Sequence, residues 1–184
     1  MKVLVTAASR HGATTAIAAA ITKVLAERAI ETVVLPPDEV GEIDDYDYDA
    51  VVLGSAVYAG RWLEPATALV KRSGDALAAR PTWVFSSGPV GDPSRKLVQK
   101  MGADPVDLAE IMRRTGARDH RMFAGRLDSR NLSLPQRVGI RLVRGLVGDF
   151  RNWTEIESWA SEIAEELGSP SRPEILMNQA GRFR

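Results

Sequence analysis

Apolar and polar positions fall in blocks along this chain, and the period changes from block to block. Val3–Thr6 is a short apolar run with the character of a buried strand. Ala13–Ala29 switches to a helical period, with Ile17, Ile21, Val24 and Leu25 on one face. Glu31–Leu35 returns to a strand and is stopped by Pro36-Pro37. Ala50–Gly54 (AVVLG) is almost wholly apolar, the pattern of a central parallel strand covered on both faces. Trp62–Arg72 predicts a helix on which Leu63, Ala66, Leu69 and Val70 cluster, and Thr82–Ser86 follows Pro81 as a fourth strand. Asp104 reads as a helix N-cap, with Pro105 at the first helical position and Asp107 three residues after the cap. That helix runs to Arg113-Arg114 and stops at Gly116. His120–Gly125 is a fifth strand. Asn152 caps a last helix, with Glu155 three residues on and an apolar stripe of Trp153, Ile156, Trp159, Ile163 and Leu167. A domain over 1–168 is then followed by 169–184, whose prolines and weak periodicity predict a mobile C-terminal tail.

Strands alternate with helices, so the fold class is α/β with a doubly wound parallel sheet. Five strands in a chain of 184 residues suit the strand order 2-1-3-4-5. In such sheets ligands bind beyond the carboxyl ends of the strands. Three segments fall there: Ala8–Ala13, Ser55–Arg61 and Ser86–Asp92, all rich in Ser, Gly and other small residues. One such loop is an ordinary βα turn; three in register point to a ligand site.

Composition removes several classes of function. Lys+Arg 24 balances Asp+Glu 24, so no basic excess marks a nucleic-acid partner and no acidic excess marks a freely diffusing acidic electron carrier. The absence of cysteine excludes disulfides, thiolate metal sites, iron–sulfur clusters and cysteine nucleophiles. With only His11 and His120, a multi-histidine metal site is excluded too. The start of the chain is already a strand, without the apolar core of a signal peptide, and no apolar run approaches the roughly 20 residues of a membrane span. The expected location is cytoplasmic.

The first loop, Ala8-Ser9-Arg10-His11-Gly12-Ala13-Thr14, narrows the ligand. A dinucleotide fingerprint needs several glycines where the backbone meets a pyrophosphate, and this loop has only Gly12. A short-chain dehydrogenase would also need a Tyr-x-x-x-Lys pair, but four residues beyond Tyr46, Tyr48 and Tyr58 stand Ala50, Val52 and Trp62. What remains is a pair of hydroxyls, Ser9 and Thr14, bracketing backbone N–H groups at a helix start. That suits one terminal phosphate. Arg10 could add charge; His11 is more often a solvated loop residue.

ASRHGATTAIA, YDAVVLGSAVYAGRWLEPATALVK, VFSSGPVGDP, MFAGRLD and FRNWTEIESWASEIA span nearly the whole chain except its tail. Together they resemble the flavodoxin-like domain family, of the type that includes menaquinone-dependent protoporphyrinogen oxidase. The resemblance implies a flavodoxin-like fold and an FMN cofactor, with its phosphate on Ser9, Arg10, His11, Gly12, Ala13 and Thr14. It places the isoalloxazine ring between Ser55, Ala56, Val57, Tyr58 and Gly60 on one side and Ser86, Ser87, Gly88, Pro89, Gly91 and Asp92 on the other. Tyr58 is its candidate ring-flanking aromatic, whereas Trp62 and Trp83 read as core residues. Gly60 and Gly88 would leave room for backbone near a flat ring. Asp92 would cap a turn or accept a hydrogen bond from ring or ribose. No general acid or base stands out, so the catalytic residues are unknown. The implied reaction is electron or hydride transfer from a small-molecule donor to an acceptor such as a quinone, with protoporphyrinogen IX as a candidate donor.

Leu132–Arg151 adds a basic amphipathic pattern over 135–151. Arg137, Arg141 and Arg144 share one face; Val138, Leu142, Val143, Leu146 and Phe150 are among the apolar residues opposite, and Gly139, Gly145 and Gly148 weaken the helix. Three readings stand: a helix docked on the sheet or on a second subunit of a homodimer, a membrane-surface helix near a quinone, and a basic lip for an anionic porphyrin. Two other classes stay open: a non-catalytic electron carrier and a flavin-free interaction module on the same fold.

Overall fold

The computed structural model describes residues 1–43, 48–88, 104–127 and 148–168. The strands are β1 (Lys2–Ala8), β2 (Glu31–Leu35), β3 (Ala50–Tyr58), β4 (Arg61–Trp62), β5 (Thr82–Ser87), β6 (His120–Phe123), β7 (Arg126–Leu127) and β8 (Gly148–Asp149). The helices are α1 (Ala13–Glu27), α2 (Glu64–Ala78), α3 (Leu108–Thr115) and α4 (Trp153–Gly168). The main sheet has the order β2-β1-β3-β5-β6, all parallel, with β4 folded antiparallel onto the end of β3. Counting only the long strands, this is the expected 2-1-3-4-5.

Alternation along each strand divides the core into two layers. Val3, Val5, Ala50, Val52, Trp83, Phe85 and Phe123 face α1 and α4. Leu4, Val51, Leu53 and Val84 face the opposite way, toward α2 and α3. Gly54 in β3 lies opposite Phe85 in β5, and the Phe85 ring occupies the space a side chain at 54 would fill. That ring packs edge-on against Trp159, 6.1 Å between centroids, and at a tilt against Phe123, 6.0 Å away.

Several boundaries differ from the sequence expectation. The first helix ends at Glu27 rather than Ala29, because Ala29 takes a left-handed φ of 59° and the Ile30 N–H closes on the Leu25 carbonyl at 3.1 Å. This turn drives Ile30 into the core. The second helix starts at Glu64, not Trp62, and continues past Arg72 to Ala78 through a kink at Ser73. Trp62 belongs instead to β4. The third helix starts at Leu108 rather than after Asp104; the Asp107 carboxylate accepts the Trp62 backbone N–H at 3.2 Å instead of capping its own helix. Gly116 ends that helix as expected, at φ 57°. β6 stops at Phe123, two residues before Gly125. Asn152 caps α4 as its sequence predicts, accepting the Glu155 N–H at 3.3 Å, but Trp153 is 39% exposed and not part of the apolar stripe. The expected tail at 169–184 and most of the basic segment 135–151 lie outside the described residues.

Candidate functional site

Register brings the carboxyl ends of the three central strands to one level. Ala8 pairs with Ser55, Ser55 with Ser86, and Ala56 with Ser87. The residues that follow, Ser9 onward, Val57 onward and Gly88, therefore leave the sheet side by side, as the sequence predicts.

The first of these segments enters α1 through Gly12, whose φ of 79° is a conformation most side chains avoid. No side chain caps the helix and no acidic residue sits in its first turn. Its leading N–H groups consequently have no partner within the helix, and the dipole favours an anion there. Thr14 is 1% exposed, yet its Oγ1 has no hydrogen-bond partner, and the buried Oγ of Ser9 has none. Buried hydroxyls are normally paired. Two unpartnered hydroxyls at an uncapped helix start fit the chemistry of an oxyanion such as a phosphate.

The second segment is a tight hairpin rather than a βα loop. β3 runs on to Tyr58, Tyr58 pairs with Arg61, and Ala59 and Gly60 turn the corner at φ 49° and 73°. Two positive φ values in a two-residue connection are the signature of a type I′ turn. The turn is braced from outside by the Val106 N–H, which donates to the Gly60 carbonyl at 2.9 Å. Ser55 is fully buried; its Oγ accepts the Leu63 N–H at 2.9 Å and donates to the Ala56 carbonyl. That hydroxyl is thereby committed to shaping the hairpin. Tyr58 projects at the rim, 37% exposed, with the Arg10 guanidinium 5.2 Å from its ring centroid and the His11 ring 6.3 Å away. Partial burial raises the phenol pKa, and Arg10 opposes that rise. Arg10, His11 and Tyr58 thus join the first and second segments across the site.

Of the third segment, Ser86, Ser87 and Gly88 are described, whereas Pro89, Gly91 and Asp92 lie outside the described residues. The Gly88 N–H donates to the Phe123 carbonyl at 3.0 Å. Ser86 is fully buried and sits in a network that sequence reasoning missed. The Trp62 indole N–H donates to Ser86 Oγ at 2.8 Å, and Ser86 Oγ lies 2.9 Å from His120 Nε2. An indole nitrogen only donates, so Ser86 Oγ accepts from Trp62, and the imidazole tautomer sets which of Ser86 Oγ and His120 Nε2 donates to the other. The other ring nitrogen, Nδ1, faces Asp104 at 4.0 Å. Burial lowers the His120 pKa, with Asp104 and Asp119 partly opposing. The network ties the hairpin, β5 and β6 together directly beneath the site.

A second unanticipated residue is Arg151. Its side chain is 6% exposed and forks onto Asp149, with Nε 2.7 Å from Oδ1. Nη1 reaches the Ala13 carbonyl in the first turn of α1 at 3.4 Å, and the guanidinium lies over the Trp153 ring, 4.4 Å from its centroid. Nothing local in FRNW announces a contact with residue 13, which is 138 positions away. Among the described residues there is no cluster of His, Asp and Glu able to hold a metal ion.

Strand order, two helical layers and a polar rim at the carboxyl edge define a doubly wound α/β protein with its candidate ligand site at the topological switch point. Residues 4–152 match the model of the flavodoxin domain family, and the chain belongs to that family. Flavodoxin domains typically bind FMN. No curated protein sequence matches the chain. Among solved structures, a flavodoxin from the domain Archaea superposes with a TM-score of 0.59 at 18% identity, over 92% of this chain and 100% of its own. Flavodoxin 2 from Bacillus cereus gives 0.60 at 20% identity, over 90% of this chain and 99% of its own. The rubredoxin oxygen:oxidoreductase of Desulfovibrio gigas gives 0.58 at 14% identity, over 90% of this chain but 36% of that protein. These likenesses show the fold.

Proposed function

We propose that this protein binds FMN at the carboxyl edge of its sheet and acts as an oxidoreductase. The observation that carries the reading is the pair of orphaned hydroxyls, Ser9 Oγ and Thr14 Oγ1, beside the uncapped start of α1. Ser9, Arg10, His11, Gly12, Ala13 and Thr14 would hold the phosphate. Ala56, Val57, Tyr58 and Gly60 would flank the ring on one side, and Ser87, Gly88, Pro89, Gly91 and Asp92 on the other. The buried Ser55 and Ser86 hydroxyls would act indirectly, by fixing the hairpin and the end of β5. When bound, FMN supplies reversible acceptance of electrons and a proton from a reduced substrate. The chain's own part is to orient the ring, exclude water and keep cations nearby. Titration of the purified protein with FMN tests this reading; absence of binding refutes it.

A narrower version has protoporphyrinogen IX as donor and a quinone as acceptor, and rests on the sequence segments that resemble the menaquinone-dependent oxidase. Oxidation of protoporphyrinogen by FMN-loaded protein with a menaquinone analogue supports it, and no turnover removes it. The membrane-surface and porphyrin readings of 135–151 belong to this version; the reading as a helix docked on the sheet or on a second subunit does not depend on it. Flotation with liposomes and sedimentation test membrane contact and dimerisation. Among the described residues no helix is long and apolar enough to cross a membrane.

A second reading, a non-catalytic electron carrier, is favoured by the family, whose members often serve that way. Balanced charge and the cations Arg10 and Arg151 near the site weigh against an acidic docking surface. Rapid exchange with a reductase and no small-molecule turnover would establish it. A flavin-free module would fail the FMN titration altogether.

A further inference from the structure

Basic residues without acidic partners gather at Tyr58. The Arg10 backbone belongs to the first segment, but its guanidinium lies 5.2 Å from the Tyr58 ring centroid, and the exposed His11 ring is 6.3 Å away. Across the hairpin Tyr58 is paired directly with Arg61, so both side chains leave the same face of the ribbon. Elsewhere the arginines of this protein spend their donors, on carboxylates as Arg113, Arg118 and Arg151 do, or on backbone carbonyls as Arg72 does. Among the described residues, Arg10 and Arg61 have neither kind of partner. The Asp107 carboxylate reaches the hairpin but is committed to the Trp62 N–H at 3.2 Å, and Glu64 at the start of α2 pairs with neither arginine. A guanidinium lying over an aromatic face keeps its in-plane N–H donors free. Apolar surface adjoins these donors: Tyr58 is 37% exposed, and Val106, 71% exposed, is tied to the same turn through the Gly60 carbonyl.

Solvation alone gives no reason to gather two unpaired guanidiniums at one tyrosine, where like charges repel unless an anion joins them. Planar donors, an aromatic face and neighbouring apolar surface together suit a flat organic anion. A patch made of one turn and one loop residue suits a small molecule, since a stable protein partner covers roughly 800 Å² per side. We propose that Arg10 and Arg61, set around Tyr58, receive the redox partner of the flavin, and that this partner is a small flat anion such as an aromatic carboxylate. The redox part of this inference rests on the FMN reading above.

The test titrates the FMN-loaded full chain with trimesate, a flat aromatic tricarboxylate, by calorimetry at low salt. Wild type, Arg61→Gln, Arg61→Lys and Arg10→Gln are compared, with circular dichroism to check folding. Arg61→Gln and Arg10→Gln should each weaken trimesate about threefold to fivefold. Arg61→Lys should recover part of the loss, and about 0.5 M salt should erase the differences. A second arm mixes the reduced, FMN-loaded protein with ferricyanide, a trianion, or with hexaammineruthenium(III), a trication. Each ion takes one electron, so two are consumed per reduced flavin and its protons pass to water. Arg61→Gln should slow ferricyanide several-fold and speed the ruthenium complex, whereas a merely structural role would move both rates in one direction. Wild type that binds no trimesate, affinities unmoved by the Gln variants, or equal changes with both oxidants would overturn the inference. Wild type that binds no FMN refutes the cofactor reading instead, and trimesate binding to the flavin-free chain then decides whether the anion site exists.

Discussion

Thr14→Val separates stability from binding at a single atom pair. The substitution keeps the shape of the side chain and exchanges the buried, unpartnered hydroxyl for a methyl group. An unsatisfied buried hydroxyl costs ~1–3 kcal/mol, and helix propensities of Thr and Val are nearly equal. The flavin-free variant should therefore be more stable than wild type, by about 1–2 kcal/mol. In a chain of this length that raises the thermal midpoint by about 2–8 °C. FMN binding should move the other way. A hydrogen bond to a charged acceptor contributes ~1.5–3 kcal/mol, so the dissociation constant should rise about tenfold to a hundredfold. Urea unfolding without flavin and fluorescence titration with FMN measure the two effects, and Thr14→Ser, which keeps the hydroxyl, should preserve binding. A less stable flavin-free Thr14→Val, or one that binds FMN as wild type does, would refute the assignment of this hydroxyl to the phosphate.

Three further outcomes follow from the geometry. Gly54→Ala would place a Cβ 2.1 Å from the Phe85 ring, far inside contact distance, and that ring is locked by Phe123 and Trp159. It should cost about 3 kcal/mol in urea unfolding, with a double-mutant cycle against Phe85→Leu showing recovery of at least about 1 kcal/mol. Ala59→Gly relieves a left-handed alanine at φ 49° and should stabilise by about 1 kcal/mol; a loss of stability would contradict the turn geometry. His120 has its pKa lowered by burial, so the unfolded chain takes a proton at a pH where the native protein does not. Its contribution is present above the unfolded value of about 6.5 and is lost as pH falls through the lower native value. The unfolding free energy of wild type minus that of His120→Gln should thus decline on acidification from about pH 7 to about pH 5, and a flat difference would remove the argument.

The strands and their order were legible in the sequence because the buried stretch Ala50–Ala56 of β3 and the apolar runs around it leave little choice of period. The helix ends were less so. Asp104-Pro105 has every local mark of a helix start, but Asp107 answers a tertiary demand, the Trp62 backbone N–H, and the helix forms later. The hairpin at Ala59-Gly60 lacks the Asn-Gly that normally announces a type I′ turn, so β3 read as too short. At the site, Ser9, Gly12 and Thr14 were visible from hydroxyls and glycine beside a helix start. The Trp62–Ser86–His120 network and Arg151 were not, because they exist only where distant segments meet.

The two layers of the core also differ in when a ribosome can complete them. The layer under α2 and α3 draws its buried residues from Leu4 to Ile111. The layer under α1 needs Phe123, Ile156, Trp159, Ala160 and Ile163 as well. While the chain is being synthesised, the apolar stripe of α1 has its own sheet but no α4 to cover it until the last of these residues has emerged. The face that waits is the one that α4 closes, with the Trp159 indole N–H locking onto Asp119 at 2.8 Å. That flank of α1 stays open to water until α4 docks, so this layer of the core is the last to close.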